Sequence, residues 1–136
     1  MTLIPGTVVT RRADPLTQAQ IDRWGELVGT AAPIHSDPVY AATTPLGGVI
    51  AQGMLVLAPV HNIMLELLGA QAWYCGGSVA AKVINVSRPG DAITYEVTTQ
   101  ACSDNSFVGE FRCLRPDGGI VAVGLVSWRA AAAAAA

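Results

Sequence analysis

Charged side chains are scarce in this sequence, and basic ones are scarcest. Asp, Glu, Lys and Arg make up 13% of the 136 residues, about half the usual share, and Lys82 is the only lysine. Arg11 and Arg12 form the only adjacent basic pair, so the basic face of a nucleic-acid-binding protein is missing. Hydrophobic residues reach 51%, which excludes intrinsic disorder. A surface so short of charge predicts that another subunit covers part of it.

Soft metal ligands are equally sparse. Cys75, Cys102 and Cys113 lie far apart without a Cys-x-x-Cys pair, and the only histidines are His35 and His61. This set matches no common structural zinc site, so we expect neither a metal nor another cofactor. An odd number of cysteines without an N-terminal signal peptide predicts reduced core thiols and a cytoplasmic protein.

A long stretch without any charge, residues 38–65, calls for comparison with a membrane span, since its length is sufficient to cross a bilayer. Prolines, glycines and polar residues interrupt it, and its densest apolar part, residues 54–60, is too short. We therefore interpret the stretch as part of a soluble domain whose longest helix is buried on all sides.

The first half of the chain predicts three helices. A capping-box pattern that begins at Thr17, followed by apolar residues at helical spacing, predicts a helix over 18–28. A helix cap, an acid and an early proline predict a short helix over 37–43. The apolar run predicts a third helix over 52–68, kinked at Pro59, as the centre of the core.

The remaining segments predict an antiparallel sheet, because apolar and polar residues alternate with a period of two. The predicted strands cover residues 7–12, 79–86, 93–100, 107–113 and 120–129. The last strand is apolar on both faces, which predicts a place inside the sheet. Helices followed by antiparallel strands indicate an α+β fold with a sheet around one helix, in a single domain over 1–129. We treat the alanines at 130–136 as a tag or an unassigned tail.

Candidates for acid–base chemistry are few. His35 lies in a predicted loop between two helix ends, and histidine is the side chain whose charge changes near neutral pH. The alternative is a histidine that only bridges two segments. Asp37 is interpreted as a helix-start acid, and His61 as a core or interface histidine. Gly53 opens the third helix, where a free N–H can bind charge on a carbonyl oxygen, unless it is a plain helix cap.

Two stretches of the sequence resemble a known motif. They are Val28-Gly29-Thr30-Ala31-Ala32-Pro33-Ile34-His35-Ser36-Asp37-Pro38-Val39-Tyr40-Ala41 and Gly47-Gly48-Val49-Ile50-Ala51-Gln52-Gly53-Met54-Leu55. Together they are similar to the hydratase motif of the MaoC-like branch of hot-dog proteins, which includes the (R)-specific enoyl-CoA hydratases. Arg88-Pro89-Gly90-Asp91 resembles the turn that opens a later strand in that family. The resemblance spans about residues 17–129.

The resemblance implies a hot-dog fold, in which an antiparallel sheet wraps a long central helix. It also implies a dimer joined through its sheets, with acyl thioesters bound near the interface. In active relatives an Asp and a His activate one water for addition to a trans-2-enoyl thioester. His35 matches that histidine, and Gly53 matches the glycine whose N–H polarises the thioester carbonyl. Asp37 and Tyr40 match further motif positions.

Four motif positions depart from the usual residues. Thr30 replaces the catalytic Asp, Ala32 an Asn, Gln52 a His, and Ala58 a small hydroxyl residue. The carboxylate half of the catalytic pair is therefore missing, and a threonine hydroxyl can position water but is no base at neutral pH. Loss of one acid–base group costs on the order of 10² to 10⁴ in rate. On this interpretation His35 acts alone, with Thr30 or Gln52 orienting the water.

Three functions are compatible with these residues. The one we favour is a lyase, a hydratase or dehydratase of an acyl thioester carried by CoA or acyl carrier protein. Its expected catalytic residues are His35, Gly53 and Thr30, and its expected substrate-binding residues are Gln52, Ala32, Asp37 and Tyr40. The expected assembly is a homodimer, or a heteromer with another hot-dog subunit, without nucleic acid or membrane.

The second function is a catalytically silent hot-dog subunit that shapes the acyl pocket of an active partner. The third is a divergent hot-dog enzyme such as a thioesterase. Such enzymes usually need a carboxylate on the long helix, where Glu66 is the only acid.

Overall fold

A five-stranded antiparallel sheet curls around one long helix. The structure is a computed structural model and describes residues 2–132. The strands are β1 (Val8–Arg12), β2 (Gly77–Val83), β3 (Thr94–Ser103), β4 (Ser106–Leu114) and β5 (Ile120–Arg129). Their order across the sheet is β1-β3-β4-β5-β2. β5 thus lies inside the sheet, as its two apolar faces predict, while β2 forms an edge and is exposed along most of its length. Residues 133–136 of the alanine run lie outside the described residues.

Five helices complete the fold. They are α1 (Gln18–Val28), α2 (Pro33–Ser36), α3 (Pro38–Thr43), α4 (Gly53–Leu68) and α5 (Ala70–Gly76). α1 has the predicted bounds, because Thr17 and Gln20 form both bonds of the capping box and Gly29 ends the helix at φ 75°. The predicted loop around His35 is wrong in part, since α2 forms there with a proline in its first turn. α5 was not predicted.

α4 is the helix that the sheet wraps. The side chains that it buries are Val56, Leu57, Val60, Ile63 and Met64. They belong to one core cluster with apolar residues of β3, β4 and β5. The prediction that this helix is buried on all sides is wrong, because the sheet covers one side only. Met54, His61 and Glu66 on the helix are exposed.

Tyr95 ties the sheet to α4. Its buried hydroxyl donates to the Val56 carbonyl at 2.6 Å. Burial, with a smaller contribution from Cys113, raises the pKa of Tyr95 well above its usual value, so the phenol stays a neutral donor. Pro59 has no N–H, which leaves the neighbouring Leu55 carbonyl without its usual helical donor. The phenol therefore stabilises α4 in the turn that the proline weakens.

The cysteines differ from the prediction of core thiols. Cys113 is buried, and burial raises its pKa to about 12, but Cys75 and Cys102 are exposed. Across residues 2–132 no group of three or more His, Cys, Asp or Glu side chains is arranged to hold a metal ion. The helices described here are also all too short or too polar to cross a bilayer.

Tyr95→Phe should lower the free energy of unfolding by about 1–2 kcal/mol, because it removes a buried hydrogen bond and leaves the Val56 carbonyl without this donor. Urea unfolding followed by circular dichroism measures the change. The matched control is Tyr74→Phe, since Tyr74 is 73% exposed and should change stability by less than about 0.5 kcal/mol. Equal effects of the two substitutions would contradict the role given to Tyr95.

Candidate functional site

Hydrogen bonds hold His35 on two sides. Its Nδ1 lies 2.8 Å from the Ile50 carbonyl oxygen, and its own carbonyl accepts from Gln18 Nε2 at 2.7 Å. A carbonyl oxygen can only accept, so Nδ1 carries the proton in this arrangement. The neutral ring then presents Nε2 with a free lone pair. The half-buried imidazole is therefore oriented as a proton acceptor.

The Ile50 carbonyl that orients this imidazole belongs to the loop before α4. Hydrogen bonds hold that loop in place. The Ala51 N–H donates to the Ser87 carbonyl at 2.7 Å. The Arg88 guanidinium donates to the carbonyls of Leu46 and Val49. These bonds connect the loop to the segment that follows β2, so the carbonyl facing the imidazole has a fixed position.

Gly53 forms the tip of α4. As the first residue of the helix it has an N–H without an intrahelical acceptor, at the positive end of the helix dipole. A Cβ at this position would lie 3.3 Å from Val83 Cγ2 on the edge strand β2. The glycine therefore keeps the space beside the N–H open. That N–H can bind an oxygen that gains negative charge.

Two cavities meet at His35 and Gly53. The first has a volume of about 470 Å³ and mainly apolar walls that include Val56, Val83 and Val121. The second has a volume of about 490 Å³. Besides His35 and Gly53, its walls contain Trp24, Val28, Thr30, Gln52 and Met54. The imidazole and the helix tip therefore face common space, which is the arrangement that the sequence motif predicts.

Three polar atoms beside these cavities are buried without a hydrogen-bond partner among residues 2–132. They are Trp24 Nε1, Gln52 Oε1 and Ser87 Oγ. Leaving a buried polar atom unpaired costs about 1–3 kcal/mol, so such atoms mark places where water or a ligand can bind. The sequence motif includes Gln52 but gives no signal for Trp24, whose spacing places it on the apolar side of α1, or for Ser87, which belongs to no motif.

Of the other predicted site residues, one lines a cavity and three do not. Thr30 is exposed and forms part of the second cavity wall. Ala32, Asp37 and Tyr40 are absent from the described walls of both cavities. Asp37 instead accepts from the N–H groups of Val39 and Tyr40 at 3.0 and 3.1 Å, which confirms its interpretation as a helix-start acid. For these three residues a role in substrate binding stays a prediction.

Two titratable residues of α4 lie away from the cavities. His61 Nδ1 accepts from Trp73 Nε1 at 3.2 Å at the exposed side of the helix. Glu66 Oε2 forms an exposed ion pair with Arg11 at 2.8 Å. Glu66 lies thirteen positions after Gly53 in the helix, a rise of about 20 Å along its axis. A carboxylate at that distance cannot act on a carbonyl bound at the helix tip.

Comparison with known proteins gives one family and one fold. The model of the family described as MaoC like domain matches residues 2–110. Among solved structures, the (R)-hydratase from A. caviae involved in PHA biosynthesis has a TM-score of 0.82 and 20% identity, over 96% of this chain and 99% of that chain. R-hydratase PhaJ1 from Pseudomonas aeruginosa has a TM-score of 0.81 and 21% identity, over 94% and 82%.

A third structure, the ChsH1-ChsH2 complex from Mycobacterium tuberculosis, has a TM-score of 0.78 and 12% identity, over 96% of this chain and 100% of that chain. A comparison with curated proteins finds no match. The structural neighbours confirm the hot-dog fold.

The neutral imidazole of His35 should be the Nδ1–H tautomer, because the Ile50 carbonyl needs a donor. Nitrogen-15 chemical shifts of the neutral ring distinguish the two tautomers. His61 is the internal control, since its Nδ1 accepts from Trp73 and should therefore be unprotonated. An Nε2–H tautomer at His35 would contradict the assignment of its free lone pair.

Proposed function

The chain belongs to the MaoC-like domain family, and on this premise we propose that it is a hydratase or dehydratase of 2-enoyl and 3-hydroxyacyl thioesters. One observation supports the proposal above all. His35, with Nδ1 bound to the Ile50 carbonyl, and Gly53, with a free helix-tip N–H, line the same two cavities. A base and an oxyanion donor around common space are what addition of water to an enoyl thioester requires.

The reaction follows from these two groups. In hydration, Nε2 of His35 takes a proton from water while the water oxygen bonds to C3 of the enoyl group. The π electrons between C2 and C3 move towards the thioester carbonyl, and the Gly53 N–H binds the resulting enolate oxygen. The imidazolium then returns its proton to C2. One water has been added and the imidazole is neutral again, so dehydration runs through the same groups in reverse.

The cavity walls support an acyl group as the part of the substrate held inside. Apolar side chains such as Val56 and Val121 make up most of the wall of the first cavity. Neither cavity has a Lys or Arg among its described lining residues. The phosphates of CoA or of a carrier-protein arm would therefore bind outside the cavities. The proposed assembly that completes the site is a dimer, with a second copy or with another hot-dog chain.

His35→Ala should lower kcat/KM for hydration of a short enoyl-CoA by at least about 10²-fold, because it removes the proposed base. Loss of the enoyl absorbance measures the rate. His61→Ala is the matched control, since that histidine lies on the exposed side of α4 and should leave the rate near that of the wild type. A wild-type protein inactive on short, branched and aromatic enoyl thioesters would overturn the hydratase proposal.

Thr30 favours a second candidate function, a catalytically silent subunit that shapes the acyl pocket of an active hot-dog partner. The motif's Asp position holds a neutral side chain, and neither cavity has a carboxylate among its described lining residues. A silent subunit would co-purify with a partner that carries the complete motif. A homodimer with full activity on its own would contradict this candidate.

Thr30→Asp distinguishes the two candidates. For a working hydratase, we expect the added carboxylate to raise kcat/KM at least about tenfold above a measurable wild-type value, since a second acid–base group is restored. A silent subunit would show activity only in the variant. Thr10→Asp, on the exposed face of β1, controls for the added charge and should leave the rate unchanged. The same enoyl-CoA assay measures all three proteins.

A further inference from the structure

We infer that the Gln52 carboxamide takes over part of the task of the missing carboxylate. Its Oε1 accepts a hydrogen bond from the attacking water and orients that water towards His35. The inference rests on the proposed hydratase function and makes Gln52 a positioning residue. It concerns a position at which the usual motif has a histidine.

The orientation of the amide is determined by its neighbours. Gln52 Nε2 donates to the Ile21 carbonyl at 3.0 Å and to the Thr30 carbonyl at 3.4 Å, which uses both amide protons. The reverse orientation would place an amide oxygen against two carbonyl oxygens. Oε1 therefore points elsewhere, and within residues 2–132 it has no donor although the side chain is only 5% exposed. Such an atom needs a hydrogen-bond donor from outside the chain.

The amide lies next to the position that the motif gives to its Asp. Thr30 occupies that position, and its carbonyl is one of the two groups that hold Gln52 Nε2. α1 packs closely here, since a Cβ on Gly25 would lie 3.2 Å from the same Nε2. Gln52, Thr30 and His35 also line one cavity. An uncharged acceptor is thus present beside the place where the carboxylate is lost.

Trp24 adds a donor to the same cavity wall. Its Nε1 is buried and has no acceptor in the described part of the chain. A buried water typically makes about three hydrogen bonds. In the inferred arrangement, one water accepts from Trp24 Nε1 and donates to both Gln52 Oε1 and His35 Nε2. Its second lone pair then remains free to attack the substrate.

The chemistry differs from that of a carboxylate pair. An amide oxygen accepts a hydrogen bond but takes no proton, so the transferred proton goes to His35 alone. The O–H bond that donates to Gln52 does not break, and it becomes the hydroxyl of the product. Asp22 and Glu26 of α1 line a third, small cavity with His35 and Gln52, but Gly53 is not among its described lining residues. Unlike Gln52, these two acids line neither of the cavities at the helix tip. They are therefore not placed to orient water against a thioester bound at the helix tip.

Steady-state hydration kinetics test the inference. Gln52→Met keeps the side-chain length but removes the acceptor, and it should lower kcat about tenfold or more while KM changes less than about twofold. Gln52→Glu keeps an acceptor oxygen but turns its second oxygen towards the carbonyls of Ile21 and Thr30, so its kcat should lie above that of Gln52→Met although the variant is less stable. Gln100→Met is the matched control, because Gln100 is exposed on β3, and should behave like the wild type. Thermal melts establish that each variant is folded.

Three results would overturn the inference. They are a wild-type kcat in folded Gln52→Met, a kcat in Gln52→Glu as low as in Gln52→Met, and a loss in Thr30→Val as large as in Gln52→Met. A high-resolution crystal structure of the wild type provides a test independent of activity and of variant folding. It should show a water within about 2.7–3.2 Å of both Gln52 Oε1 and His35 Nε2.

An empty position there would overturn the inference as well. A wild type inactive on all enoyl thioesters would instead overturn the proposed function, and the water test would still decide the role of Gln52.

Discussion

Burial of one side of α4 against the curled sheet determines where the rest of the molecule lies. Val60 and Met64 are fully buried, and each such side chain contributes about 1.5–3 kcal/mol. With the helix axis fixed in this way, the helix tip at Gly53 has a defined position relative to the edge strand β2. The loop that precedes the tip then carries the carbonyl that orients His35. Core packing and site geometry therefore depend on the same contacts.

Polar atoms without partners are concentrated at the cavities. Of the four such side-chain atoms among residues 2–132, three belong to Trp24, Gln52 and Ser87, which line the two cavities beside the helix tip. Leaving such an atom without a hydrogen-bond partner costs about 1–3 kcal/mol. The core between sheet and helix is otherwise almost entirely apolar. The chain thus concentrates its unfavourable contacts where water or substrate can relieve them.

Local signals explain what the sequence predicts well. The capping box at Thr17 defines α1 because both of its hydrogen bonds are local. The run of residues 120–129, apolar on both faces, predicts β5 with the bounds that it has. The motif likewise brings His35 and Gly53 together. The sequence predicts less well the features that depend on contacts between distant segments. The orientation of the Gln52 amide depends on carbonyls 22 and 31 residues away, and the open side of α4 depends on how far the sheet curls.

Val83 belongs both to the outer strand of the sheet and to the wall of the first cavity. The backbone groups along the outer side of that strand point away from β5 and are free to pair with another polypeptide. A neighbouring chain that bonds there would therefore also border the ligand space. In such an assembly the room available to an acyl group would be a joint property of two chains, and dilution of the protein would alter what it can hold.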